Sequence, residues 1–301
     1  MTSSNSIKLA NKDLLLAIFV MFLWGANFSF IKLGLLELDS LVLAALRFLL
    51  CAVPLVFFVK YPKVDYKIVL SYSFLFGFGL WGVSNYAIQT GVPAGIASLI
   101  LQFSPLFTII LSFFIFKTNL NIKQLVGIGI SILGLIFLIM YRSNNISILN
   151  IFYLLISAFS WSICNILVKK YQPENMFSFV IWTSLYSSLI LFVMVIFKDY
   201  RLIIDIKNHI NFNTIISLIS QAYVTTLFGY WAWNMLINKY SPNVVSPMSL
   251  LVPVFSIAIS YAVFKDNISF FTALSCLIIL IGLFVFVLNK EHLRNFFSIK
   301  S

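Results

Sequence analysis

The sequence predicts an all-α, polytopic membrane protein: ten transmembrane helices in two inverted five-helix repeats. Three observations carry this reading. The 301-residue chain is 61% hydrophobic and 10% charged, with a mean hydropathy of +1.02, which leaves too little polar surface to cover a soluble core. The apolar residues fall into runs near the ~20 residues that cross a bilayer. One stretch also occurs twice at a constant offset: Pro105, Phe107, Phe116 and Lys117 align with Pro253, Phe255, Phe264 and Lys265, and the register continues to Gly134 and Gly282.

The ten runs lie near 14–34, 41–59, 68–90, 94–116, 124–141, 148–169, 177–197, 214–238, 243–264 and 270–288. Residues 1–13 are polar, carry Lys8 and Lys12, and lead into an apolar run too long for a signal-peptide core, so the first run is expected to be a retained helix. The connections are short, and the longest, 198–213, has no room for a soluble domain. With the N-terminus in the cytoplasm, 13 Lys and Arg fall on inner segments and 5 on outer loops, the bias of a cytoplasmic face. Both termini are therefore expected in the cytoplasm, with the chain in the bacterial inner membrane. Five helices per half force the second half (146–301) to insert upside down relative to the first (1–145). The first helix of each half also matches, since Trp24 and Lys32 have the spacing of Trp161 and Lys169.

Several function classes are disfavoured. The net charge of +11 is scattered between apolar runs, which sets orientation and does not form a nucleic-acid face. Cys51, Cys164 and Cys276 are isolated within apolar runs, and His209 and His292 lie outside them. No metal centre, hydrolytic triad or phosphate loop is expected, and no cofactor. The nine Asp and Glu all fall at helix ends or in loops. An intramembrane proton relay is missing, which favours facilitated diffusion or exchange.

A proline inside an apolar helix breaks the hydrogen-bond ladder, and in a membrane the freed groups need protein or a wet cavity. Interrupted helices at matching places in two halves point to the binding site of a secondary transporter. Pro105 and Pro253 are candidate hinges; the alternative is a kink used for packing. Arg47, inside the second run, is either a clamp for a substrate carboxylate or an anchor that snorkels to the headgroups. Lys32 reads as snorkelling. Asn and Gln find no partner in lipid and should face the bundle. Asn27 pairs with Trp24, Asn85 with Trp81, and Asn165 with Trp161 at helical spacing; Tyr230, Trp233 and Asn234 cluster; and Gln102 lies one turn before Pro105. Each either lines a cavity or only ties helices together.

Two five-helix repeats with an Ala/Ser-rich start, a central proline and a closing glycine-bearing helix resemble the EamA-type drug/metabolite transporters over nearly the whole chain. Trp24–Phe28, Leu46-Arg47-Phe48, Tyr61–Val64, Pro93–Leu99 with Leu101-Gln102, Lys123–Leu125, Ser157–Trp161 with Lys169-Lys170, and Ser249–Val254 are most similar to the branch that exports O-acetylserine and cysteine. The resemblance implies ten helices, cytoplasmic termini, a central cavity from helices 1–4 and 6–9, and efflux of small amino-acid-like metabolites without ATP. It implies a transporter and not an enzyme. The implied partners are the small molecule and membrane lipid; a homodimer is compatible with the sequence. Where the family carries a glutamate after helices 4 and 9, this chain has Thr118 and Asp266. Rival readings are the same fold carrying S-adenosylmethionine or a drug, a polytopic lipid-modifying enzyme, and a membrane scaffold.

Overall fold

The computed structural model describes residues 10–116, 122–141, 146–240, 248–249, 251–265 and 269–287. The elements among them are all helical. They are α1 (Asn11–Leu35), α2 (Ser40–Phe57), α3 (Tyr66–Gln89), α4a (Ala94–Leu101), α4b (Phe103–Phe116), α5 (Ile122–Met140), α6 (Ile148–Tyr171) and α7 (Met176–Asp199). α8 runs through Phe212–Ile219, Ser220–Phe228 and Gly229–Tyr240, followed by α9 (Leu251–Phe264) and α10 (Phe270–Val287). The expected loop 198–213 contains two short helical turns, Arg201–Ile204 and Asp205–His209.

Short polar side chains set the helix starts. Asp39 accepts from Leu41 N–H at 3.0 Å, Asn175 from Ser178 N–H at 3.0 Å and Asn211 from Thr214 N–H at 3.0 Å, each taking up a donor that a helix N-terminus leaves unpaired. Pro54 ends the α-helical part of α2 at Ala52, because proline has no N–H to continue the ladder.

Six of the described helices (α1, α2, α3, α4, α6 and α7) are long and apolar enough to cross a membrane, and the apolar stretches of α5, α9 and α10 are shorter. The chain is thus a multi-pass membrane protein, and among the described residues the expected ten spans are not confirmed. Two causes are visible. α8 carries Gln221, Thr225, Thr226, Tyr230 and Asn234 among its apolar residues, and residues 243–247 and 250, expected in the ninth span, lie outside the described residues.

The packing joins the two halves of the chain. α5 lies on α10, α2 on α7, α1 on α9, α4b on α6, and α4a on α9. Exchanging the first five helices with the last five maps these pairs onto themselves, with α1–α9 becoming α6–α4. Glycines allow the closest crossings. A Cβ at Gly25 would lie 2.6 Å from Phe255 Cβ, and one at Gly95 would lie 2.8 Å from Ile257 Cα. These crossings put α1, α4 and α9 side by side around the molecular centre.

The matched prolines do not sit mid-helix. Pro105 is the third residue of α4b and Pro253 the third of α9, in the first turn, where a missing N–H costs least. The break in α4 falls three residues upstream, at Gln102, whose N–H turns back to the Leu99 carbonyl at 3.1 Å.

Candidate functional site

The break at Gln102 faces the corresponding point of the second half. Its Nε2 donates to the Ser249 carbonyl at 2.8 Å, just ahead of α9. Beside this contact lies a cavity with an empty volume of about 580 Å3, counting its part open to solvent. Asn27, Arg47, Gln102, Trp161 and Tyr230 line it, joined by Trp24, Trp81, Ser98, Thr225 and Ser249. Walls come from α1, α2, α3, α4, α6, α8 and the residues around the start of α9. The lining holds one cation and, among the described residues, no carboxylate.

Two walls have unusual backbone. Leu75–Gly82 of α3 and Ser220–Phe228 of α8 are π-helical, a geometry that is rare and gathers at functional sites. These are corresponding helices of the two halves, and both segments reach Arg47. The guanidinium carbon stands 4.1 Å from the Trp81 ring centroid, and Nη2 donates to Thr226 Oγ1 at 3.0 Å. The Thr226 hydroxyl spends its own hydrogen on the Gln221 carbonyl, at 2.7 Å, so it can only accept from Arg47. Arg47 is 1% exposed; its side chain does not extend to the surface, as a snorkelling anchor would. Among the described residues its buried Nε and Nη1 have no hydrogen-bond partner. An uncompensated buried charge is costly, and a guanidinium is a group from which a carboxylate accepts charge-assisted bonds.

The second wall is aromatic. Trp24 Nε1 donates to the Thr225 carbonyl at 3.0 Å, and its ring lies 5.4 Å from Tyr230 and 5.3 Å from Trp233. Gly229 makes room for it, since a Cβ there would lie 2.5 Å from Trp24 Nε1. The Thr225 hydroxyl donates to Asn27 Oδ1 at 2.9 Å, holding α1 to the π segment of α8.

Other expected site residues lie apart from the cavity lining. Asn85 is buried and points its Nδ2 at the Ser40 carbonyl, 3.5 Å away, on the α2 side of α3. Asn165 donates to Thr108 Oγ1 at 3.3 Å and ties α6 to α4b. Trp233 backs Trp24 from behind the lining. Asn234 is on α8, with its side chain outside the described residues, as are Thr118 and Asp266. Lys32 stands over the Phe264 ring at 4.3 Å. Among the described residues no cluster of His, Cys, Asp and Glu could hold a metal, and the three cysteines are buried and free.

Ser98, Thr225, Thr226 and Ser249 were not singled out from the sequence. Ser98 lies one helical turn before Gln102, and that spacing is the signal that could have found it.

The EamA-like transporter family matches residues 11–140 and again 148–288. A probable amino-acid metabolite efflux pump of Escherichia coli K12 is 37% identical over 284 residues, covering 92% of this chain and 95% of the relative. A protein of the same description from Salmonella typhimurium LT2 is 36% identical, covering 95% and 98%. An uncharacterized transporter of Bacillus subtilis 168, YoaV, is 24% identical, covering 91% and 96%. A crystal structure with 16% identity superposes with a TM-score of 0.60 over 91% of this chain and 96% of the other, a likeness of fold alone. With its two matched halves built around one cavity, this chain belongs to the EamA-like transporter family.

Proposed function

We propose that the chain exports small amino-acid-like metabolites, of the O-acetylserine and cysteine type, across the bacterial inner membrane by alternating access. In this reading ten helices form two inverted repeats, 1–145 and 146–301, with both termini cytoplasmic and Pro105 and Pro253 at the hinges. The observation that carries it is Arg47, buried between the halves with two donors that have no partner among the described residues. A metabolite's carboxylate completes that group. Asn27 and Gln102 supply hydrogen bonds, while Trp24, Trp161 and Tyr230 shape the space. Asn85, Asn165 and Trp233 tie together the helices that move. The relatives described as probable amino-acid metabolite efflux pumps support the substrate class.

The packing of α3 (Val83–Gln89) and of α4a on α1 supports a closed outer side in the proposed topology. The test is counterflow in proteoliposomes of the purified protein, using labelled O-acetylserine and cysteine. Exchange that saturates with either supports the reading; no exchange with either, in protein shown to be folded, overturns it.

A further inference from the structure

A second cavity, with an empty volume of about 640 Å3 including its open part, lies between α7 and α8. Phe177 and Val180 of α7 face Thr226, Leu227, Tyr230 and Trp231 of α8 across it. In the first half the corresponding helices, α2 and α3, pack together; among the described residues α7 and α8 pack less closely. The pseudo-symmetry fails at this seam, and the cavity is the gap it leaves.

We propose that this gap is a lipid site, occupied by one acyl chain from the leaflet that the start of α7 faces, which is the cytoplasmic leaflet in the topology above. The walls fit that chemistry. Apart from Thr226 and Tyr230 they are Met, Phe, Val, Leu and Trp, and the Thr226 hydroxyl is already engaged by Arg47 and Gln221. An acyl chain needs no hydrogen bond from such walls. The rim faces outward, with Phe177 45% and Trp231 54% exposed, on helices that belong to a multi-pass membrane protein. In the proposed topology this rim meets the inner leaflet. An apolar gap left empty forfeits contacts along its walls.

The site bears on transport because its inner wall is shared. Tyr230 lines both cavities, and Thr226 faces the lipid cavity with one side while it orients Arg47 with its hydroxyl. A chain seated here holds α7 and α8 apart and favours this arrangement over one in which they pack as α2 and α3 do. This consequence rests on the proposed export function; the lipid site does not.

The test is photo-crosslinking in nanodiscs containing a phospholipid with a diazirine on its acyl chain, read residue by residue by mass spectrometry, with no substrate present. Leu227, which is partly buried, should be labelled at least as strongly as the openly exposed Phe197. Val180→Trp, which fills the gap, should cut Leu227 labelling at least five-fold and leave Phe197 unchanged; Met176→Trp, at the rim, is the second variant should the first misfold. Labelling of Leu227 at the level of fully buried Leu191 overturns the site, as does labelling that a folded filled variant leaves unchanged. Because substrate is absent, a lipid adduct in a protein that fails counterflow would retain the site and reject the export reading.

Discussion

Arg47 of α2 and Thr226 of α8 meet at 3.0 Å across the boundary between the two halves of the chain. The contact has a fixed polarity, because the Thr226 hydrogen is committed to the Gln221 carbonyl five residues back. That i−5 partner is where a π-helical turn places a carbonyl; an ordinary helical turn offers the i−4 carbonyl instead, as Phe179 does for Thr183 at 2.7 Å, and in either case the hydroxyl hydrogen is committed to the helix's own backbone. With Trp81 covering one face, the guanidinium is held while, among the described residues, its buried Nε and Nη1 stay unpaired.

Removing the acceptor should therefore loosen the clamp without emptying the cavity. Thr226→Val keeps the shape and loses the oxygen. A net hydrogen bond of about 0.5–1.5 kcal/mol corresponds to substrate affinity weakened roughly 2- to 10-fold. Thr226→Ser should restore it. Binding to purified protein at matched thermal stability checks both variants.

The crossing of α1 on α9 depends on Gly25, where an added Cβ would also stand 2.9 Å from the Val252 carbonyl oxygen. Both contacts are with rigid parts of α9, so Gly25→Val should cost about 1–3 kcal/mol through overpacking. Gly129 meets nothing within 4 Å. Gly129→Ala should be neutral, or stabilise by up to about 1 kcal/mol through helix propensity. Thermal unfolding in detergent distinguishes the two sites.

Transport should persist when the proton gradient is collapsed. Among the described residues the cavity lining has no Asp, Glu or His to carry a proton. Asp13 and Asp39, at helix ends, are paired with Lys239 at 2.7 Å and Lys198 at 2.6 Å. Export from vesicles with an imposed substrate gradient should be unaltered by an uncoupler; flux that stops on its addition would reject this.

Hydropathy made the helix order legible, because burial in lipid demands long apolar runs; the proline stretch pointed only near the break in α4, which falls three residues upstream of Pro105 at Gln102. Asn27, Arg47, Gln102, Trp161 and Tyr230 could be named because each is too polar or too bulky to sit idle in a bundle. Asn85 shows the limit: helical spacing puts it on the face of Trp81, but only the neighbouring helix decides that it meets Ser40 and not the cavity. Ser98 was missed because a helical serine can satisfy itself on its own backbone, here the Gly95 carbonyl at 2.7 Å. Thr226 was missed because a helical threonine can satisfy its hydrogen on its own backbone, and only the packing of α2 brings Arg47 to its remaining acceptor.

The account turns on whether Arg47 receives the substrate's carboxylate, and a crossed comparison tests this most directly. Affinity for O-acetylserine and for its amide, in which the carboxylate is neutralised, is measured in the wild type and in Arg47→Lys at matched membrane abundance. Lysine keeps the charge but lacks the planar fork. The wild type should prefer the acid by on the order of 10- to 100-fold, the roughly 1.5–3 kcal/mol of a hydrogen bond to a charged group. Arg47→Lys should lose most of that preference. An acid-to-amide ratio that is the same in both proteins would contradict the clamp and leave Arg47 as a structural tie between α2, Trp81 and Thr226.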